Sequence, residues 1–296
     1  MPSGIIVIDK PADWTSMDVC AKLRRLLGER RIGHAGTLDP MATGVLPVFV
    51  GRATRAVEFA ESGKKEYLAT LRLGLTTDTQ DTTGAVLSTA PAVCTGADLE
   101  AVLPQFRGEI QQVPPMYSAL KVNGQKLCNL ARKGRTVERQ PRAITIFALE
   151  VVEQVGGAEY TLRVRCSKGT YIRTLCHDIG QALGCGGVMA SLRRTEAAGY
   201  TLAQAVTLED VAQAAEEGRA EALLRPVDSL FQRYPSVQVD GRREALCRNG
   251  NPFPFDGAEG RCRVYGSDGT FLMLGQCQNG EMRTVKSFFP VETGAN

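Results

Sequence analysis

Histidine is nearly absent from this chain of 296 residues, which holds only His34 and His177. So few imidazoles argue against a His-rich metal site, and any Ser-His-Asp relay would have to use one of the two. Nine cysteines, at 20, 94, 128, 166, 176, 185, 247, 262 and 277, form no C-x-x-C pair. An odd count without paired spacing argues against a disulfide framework or a zinc ribbon. Isolated cysteines behave as small buried hydrophobes in a reducing compartment, so the cytoplasm is the expected location. No apolar run approaches the roughly 18 to 20 residues that cross a bilayer. The run Ile5 to Ile8 is cut off by Asp9 and Lys10 with no basic stretch before it, so neither an anchor nor a signal peptide is expected. Phosphate-cradling motifs are missing too. GTLDPMATG lacks the lysine and the GK[ST] ending of a P-loop, and GCGGVMA fails the third small residue of a dinucleotide fingerprint. ATP and NAD have no evident site.

What is present is ordinary in amount and uneven in place. Apolar residues make up 43% and charged residues 23%, the usage of globular proteins, and the length suits about two domains or one large one with an appendage. Residues 121 to 142 carry seven lysines and arginines against Glu138. This segment is therefore at +6 in a chain of net charge +3, and the remainder stands at −3. A positive insert on a mildly acidic body is an electrostatic footprint for a polyanion, nucleic acid first, although a solvated basic loop has the same composition.

Along the chain, Ile5 to Asp9 reads as a short buried strand and Pro11 to Trp14 as a turn. Ser16 is the expected N-cap of a helix that buries Val19, Leu23, Leu26 and Leu27, with Gly28 just past its end. Residues 31 to 44 read as a loop before the strand Val45 to Val50. Tyr67 to Leu73 alternates as a half-buried strand does, and the polar stretch Thr76 to Gly84 follows as a turn. A helix is expected near 97–104 and a turn at Asn123-Gly124. The clearest hairpin joins Ala143 to Val155 with Ala158 to Ser167 through Gly156-Gly157. Helices over 171–183 and 208–217 flank a strand around 188–200, and the texture from 236 onward changes to short strands, glycines and one helix near 241–248. Strands in hairpin order predict an α+β protein with a mostly antiparallel mixed sheet and flanking helices. The expected division is 1–235 for the main domain and 236–296 for a small β-rich one.

The densest cluster of chemistry is Gly33-His34-Ala35-Gly36-Thr37-Leu38-Asp39-Pro40, where glycines allow backbone to approach a ligand closely. Read alone, Asp39 is equally an Asx-turn residue and His34 a loop hydrogen-bonder. Likewise Tyr67 could be plain core, Arg173 a surface ion-pair residue or phosphate contact, and Leu192 simple packing.

The stretch GHAGTLDPMATGVLPVFVGRATR resembles the catalytic motif of the TruB family of tRNA pseudouridine synthases. The resemblance extends in family order through GIIVIDKPADWTS, KEYLATLRLGLTTDTQDTTG, PPMYSALKVNGQKLCNLARKG, CSKGTYIRTLCHDIG and SLRRTEAAGY, over about the first 230 residues. It implies a cofactor-independent enzyme that converts uridine 55 of the tRNA T-loop to pseudouridine. Asp39 then resembles the nucleophilic aspartate, and His34 the histidine that fills the space left by the flipped base. Tyr67 resembles the aromatic residue that stacks on the uracil. Tyr171 and Arg173 match the substrate-contacting tyrosine and the arginine paired with the aspartate, and Leu192 matches an apolar residue lining the uracil pocket. Asp81 is a candidate for a supporting role. His177 and the cysteines read as structural.

The basic segment, about 112–142, resembles the family's insertion that closes over the T-loop, with Lys121, Lys126, Arg132, Lys133 and Arg135 expected on phosphates. It departs from common family usage at Cys128-Asn129, and the catalytic loop does so at Met41. The tail resembles a PUA-like RNA-binding domain expected on the acceptor-stem side of tRNA. Intact Asp39, Tyr67 and Arg173 count against a non-catalytic RNA-binding protein on the same scaffold. A monomer is expected, with tRNA as partner and no membrane contact.

Overall fold

Ile5, Ile6, Val7 and Ile8 are all buried, and their side chains part company with the strand's period of two. Ile6 and Ile8 enter one hydrophobic cluster, Ile5 and Val7 another. The strand Val45–Val50 does the same, sending Leu46 and Val48 to the first cluster and Val45 and Phe49 to the second. Apolar runs of this kind belong in a sheet covered on both faces. The computed structural model, described over residues 2–61, 63–122 and 124–289, has that sheet at its centre.

In chain order the main elements are β1 (Gly4–Lys10), α1 (Ser16–Leu27), β2 (Ile32–His34), β3 (Thr43–Val50), α2 (Val57–Glu61) and β4 (Lys65–Leu73). A small hairpin of β5 (Leu75–Thr77) and β6 (Val86–Thr89) leads to α3 (Gly96–Val102) and β7 (Gly108–Gln112). An excursion carries β8 (Lys121–Val122), β9 (Gln125–Lys126) and α4 (Leu127–Ala131) before the long hairpin of β10 (Arg142–Gly156) and β11 (Glu159–Cys166). Then come α5 (Ile172–Ala182), β12 (Gly187–Ala197), β13 (Tyr200–Thr201) and α6 (Leu208–Glu216). The remainder holds β14 (Ser236–Gln238), α7 (Gly241–Arg248), β15 (Phe253–Pro254), β16 (Gly260–Tyr265), β17 (Phe271–Gln278) and β18 (Glu281–Ser287).

The large sheet runs β1-β3-β12-β4-β11-β10-β7, with β2 and β13 paired at its side. Its pairings are antiparallel except for a two-residue parallel contact, Arg193↔Thr43 and Arg194↔Gly44, between β12 and β3. The α+β reading with a mostly antiparallel mixed sheet is therefore what the chain forms. β14 to β18 make a separate five-stranded sheet with its own core of Val239, Phe253, Val264, Leu272 and Met273. Phe231, Leu274 and Phe288 join that unit to the second face of the large sheet. Among the described residues no helix is long and apolar enough to cross a membrane.

Several sequence expectations need correction. Thr15, not Ser16, caps α1: its hydroxyl accepts from the Asp18 amide while the Asp18 carboxylate accepts from the Thr15 amide. Leu26 and Leu27 are only half-buried. The stretch 31–44 is not all loop, because Ile32–His34 pairs with Val48–Val50. The expected strand 188–200 is two strands, turned at Ala198 (φ 55°) and Gly199 (φ 83°), a two-residue hairpin with both central residues left-handed. The Asn123-Gly124 turn signal lies partly outside the described residues at Asn123, as do residues 290–296 of the tail. β10 and β11 meet at Gly156-Gly157 as expected. β7 and β10 pair from Gln112↔Arg142 inward, so the basic segment is an excursion pinned at both ends by the sheet.

Candidate active site

Asp39 sits on the loop between β2 and β3, and four separate ties hold that loop. The Lys10 side chain, fully buried at the end of β1, donates to the carbonyls of Pro11, Trp14 and Pro40 at 2.8, 2.6 and 3.0 Å. Burial lowers this ammonium to about 8, against the attraction of Asp13 and Asp39. Ser16, freed from capping, accepts from the Leu38 amide at 2.9 Å. The Asp13 amide donates to Pro40 O. From β12, Arg194 donates to the carbonyls of Gly36 and Val45 at 2.9 and 2.7 Å. Gly44 must be glycine here: its φ is +99°, and a Cβ would stand 2.2 Å from Arg194 O.

Opposite the loop, α5 delivers Arg173. Tyr171 stands at the N-cap of this helix without capping it through its side chain. Instead Gln112, 2% exposed, clamps the Tyr171 backbone, donating to its carbonyl at 3.0 Å and accepting from its amide at 2.8 Å. Arg173 is 6% exposed, and its Nε stands 2.9 Å from Asp39 Oδ2 while Nη2 reaches Oδ1 at 3.4 Å. Its remaining donors go to Thr79 O at 3.0 Å and Tyr117 O at 2.8 Å, with Asp81 Oδ2 at 3.7 Å. A fork-on-carboxylate geometry fixes both the position and the plane of the carboxylate. Burial to 6% excludes the surface ion-pair alternative for Arg173. Asp81 is itself held, its Oδ1 accepting from the hydroxyls of Thr79 and Thr83 and the Thr83 amide.

The β4/β12 pair carries two further candidate residues. Tyr67 lies directly across from Arg194, and Ala69 across from Leu192, in antiparallel register. Tyr67 and Leu192 are 7% and 8% exposed and belong to the main hydrophobic cluster. Burial pushes the Tyr67 phenol up, and the Arg194 charge opposes that rise. His34 ends β2 with a buried Nδ1 that has no hydrogen-bond partner, and burial with the charge of Arg194 lowers its imidazole.

The structure thus gathers Asp39, Arg173 and Asp81 into one contact network. Arg194 ties the same loop to the strand of Tyr67, and its charge also acts on His34. Lys121, Lys126, Arg132, Lys133 and Arg135 are exposed on the excursion, and none of them forms an ion pair with another described residue. The excursion meets the site at Tyr117, whose backbone carbonyl accepts from Arg173. Seven of the nine cysteines are buried. Burial pushes Cys20, Cys166, Cys247 and Cys262 to about 11 and Cys176 to about 12, far from nucleophilic thiolates.

Two family models match the chain, a TruB family pseudouridylate synthase N-terminal domain over residues 24–172 and a tRNA pseudouridylate synthase B C-terminal domain over 173–232. The chain belongs to the TruB family of pseudouridylate synthases. It is 47% identical over 279 residues to the tRNA pseudouridine synthase B of Stutzerimonas stutzeri (strain A1501), covering 93% of this chain and 91% of that one. The enzyme of the same name from Dechloromonas aromatica (strain RCB) is 47% identical over 278 residues, covering 94% and 92%. Among solved structures, a chain of a Cbf5-Nop10-Gar1 complex superposes with a TM-score of 0.73 at 27% identity, covering 97% of this chain and 85% of that one. A chain of an H/ACA RNP bound to a substrate RNA containing 2′-deoxyuridine matches at 0.73 and 25%, with the same coverage.

Sequence reasoning assigned no part to Lys10, Ser16, Gln112 or Arg194. Lys10 ends β1 beside Asp9, and Arg194 lies in a strand that also holds Arg193, Thr195 and Glu196, so neither stands out as a charge in an apolar run. Ser16 and Gln112 carried no signal either.

Proposed function

We propose that this protein is a cofactor-independent tRNA pseudouridine synthase that isomerises uridine 55 of the T-loop. The observation that carries the reading is the fork of Arg173 on Asp39, with Tyr67 of β4 close enough to feel the Asp39 charge. An aspartate so held is an oriented carboxylate with one face open, since Asp39 keeps 39% of its side chain exposed. That is what a nucleophile toward a flipped nucleotide requires. The C1′–N1 bond breaks, the base turns, C1′ bonds to C5, and the C5 proton is exchanged for one on N1, so atoms balance without a co-reactant. Tyr67 stacks on the displaced uracil, Leu192 and Tyr171 line its pocket, and His34 fills the vacated space. Asp81 fixes Arg173. Lys121, Lys126, Arg132, Lys133 and Arg135 meet phosphates of the T-arm as the excursion closes. Residues 1–235 act as the catalytic domain, and the PUA-like unit from 236 meets the acceptor-stem side. The enzyme works as a cytoplasmic monomer.

The test is tritium release from C5-labelled uridine in an unmodified tRNA transcript, with filter binding alongside. Wild type should release one equivalent and Asp39→Asn none, while Asp39→Asn still binds the transcript. Binding by wild type without release would overturn the reading.

A further inference from the structure

Arg194 is a buried guanidinium whose charge no carboxylate meets. Its residue exposure is 0%, and among the described residues no Asp or Glu lies within ion-pair distance of it. Burying a charge this way is expensive unless its hydrogen bonds are specific. Two of them are: Nε to Val45 O and Nη2 to Gly36 O. These carbonyls are the two ends of the loop that carries Asp39, and the Arg194 backbone is paired to Gly44 within the same span. The third nitrogen, Nη1, is buried without a partner, 3.3 Å from the point where a Cβ on Gly36 would stand. Across the strand pair sits Tyr67. One residue therefore joins the start of the loop and its end through its side chain, and the strand that carries the stacking residue through its backbone pairing.

We propose that Arg194 is a positioning residue for the reaction, a brace that fixes the distance between the Asp39 loop and Tyr67. A loop tied at both ends to one rigid fork cannot widen, so the nucleophile keeps its place relative to the strand of Tyr67 when the nucleotide enters. Lysine cannot replace it, because a single ammonium on a flexible stem lacks the planar fork that spans two carbonyls. The inference rests on the synthase reading, and the experiment separates the two. Arg194→Lys is compared with wild type by single-turnover tritium release, tRNA binding and backbone hydrogen exchange of residues 36–45. Leu149→Ala, a core lesion on β10, serves as a stability-matched control. Arg194→Lys should lose about 100-fold in rate with tRNA affinity within about threefold of wild type, the scale of loss that a displacement near 1 Å produces. Its 36–45 amides should exchange faster, while Leu149→Ala of equal or lower melting temperature keeps both rate and loop protection. A rate within about threefold of wild type, unchanged loop exchange, or an equal rate loss in Leu149→Ala would overturn the brace. Wild type that binds tRNA without turnover would sink the synthase reading alone, because loop exchange still reports on the tie.

Discussion

His34 shows how a single side chain can couple the site to pH. Its imidazole is lowered from 6.5 first by burial and then by Arg194, so the folded protein holds it neutral where the unfolded chain has begun to protonate it. Stability falls with falling pH wherever the unfolded state binds more protons. The contribution of His34 is therefore complete above about 6.5 and is lost as pH drops below that value, down to its depressed folded-state midpoint. Urea midpoints at about pH 7.5 and 5.5 should diverge less in His34→Gln than in wild type. Equal divergence would assign the acid sensitivity to carboxylates instead. Lys10 stands in the same relation to its surroundings with the opposite result: burial weakens its charge, yet three carbonyls, one of them Pro40 next to Asp39, keep it in place. Lys10 and Arg194 thus serve backbone oxygens of this loop, whereas Arg173 serves the Asp39 carboxylate.

The excursion between β7 and β10 is the element whose chemistry is least constrained by packing. Only Leu127 and Leu130 of its helix are buried, and Lys121, Lys126, Arg132, Lys133 and Arg135 are exposed without carboxylate partners among the described residues. Such charges act through counterion release, so changing Lys121, Lys126 and Arg132 together to Gln should weaken tRNA binding and flatten its salt dependence. The log–log slope should fall by about 0.7 to 0.9 for each phosphate no longer neutralised. Single-turnover release from saturated complex should stay at the wild-type rate, and a slope unchanged by the triple substitution would remove these residues from the interface. This segment was legible in the sequence because charge is additive along a chain. The β10/β11 hairpin was legible because Gly156-Gly157 interrupts two long alternating runs. α7 was read with its observed bounds, Gly241–Arg248. β2 was not legible, since three residues cannot display a period and its pairing is decided by the distant Val48–Val50. Ser16 looked like a cap because hydroxyls at helix starts usually are; Thr15, one residue earlier, takes that work and leaves Ser16 to Leu38. Of the site, the motif residues were readable, but the supports were not: Arg194 finds its acceptors 149 and 158 positions away, and no local pattern encodes that meeting.

The two sheets are joined by aromatic packing, not by a polar seam. Phe231, 1% exposed, has its ring 5.4 Å from Phe59, 6.1 Å from Phe271 and 5.7 Å from Phe288, and Phe271 stacks on Phe288 at 5.3 Å. Phe59 comes from α2 on the large sheet's side, whereas Phe271 and Phe288 come from the small sheet, so Phe231 is the shared ring. Polar contacts follow the same line: Lys286 pairs with Glu58 at 2.7 Å, and the Tyr265 hydroxyl donates to Asp228 at 2.6 Å. The Lys286 pair is partly exposed and contributes little on its own. A five-stranded unit of this size is marginal on its own, so part of its stability is drawn from this junction. Phe231→Ala should therefore cost about 3 to 5 kcal/mol, the usual loss for a buried phenylalanine, and should do so unevenly. Hydrogen exchange should accelerate in β16, β17 and β18 while β3, β4 and β12 keep their protection, and one unfolding transition should separate into two. If instead both sheets lose protection together, the junction is part of a single cooperative core, and the small sheet's own cluster around Val264 and Leu272 is never the weaker partner.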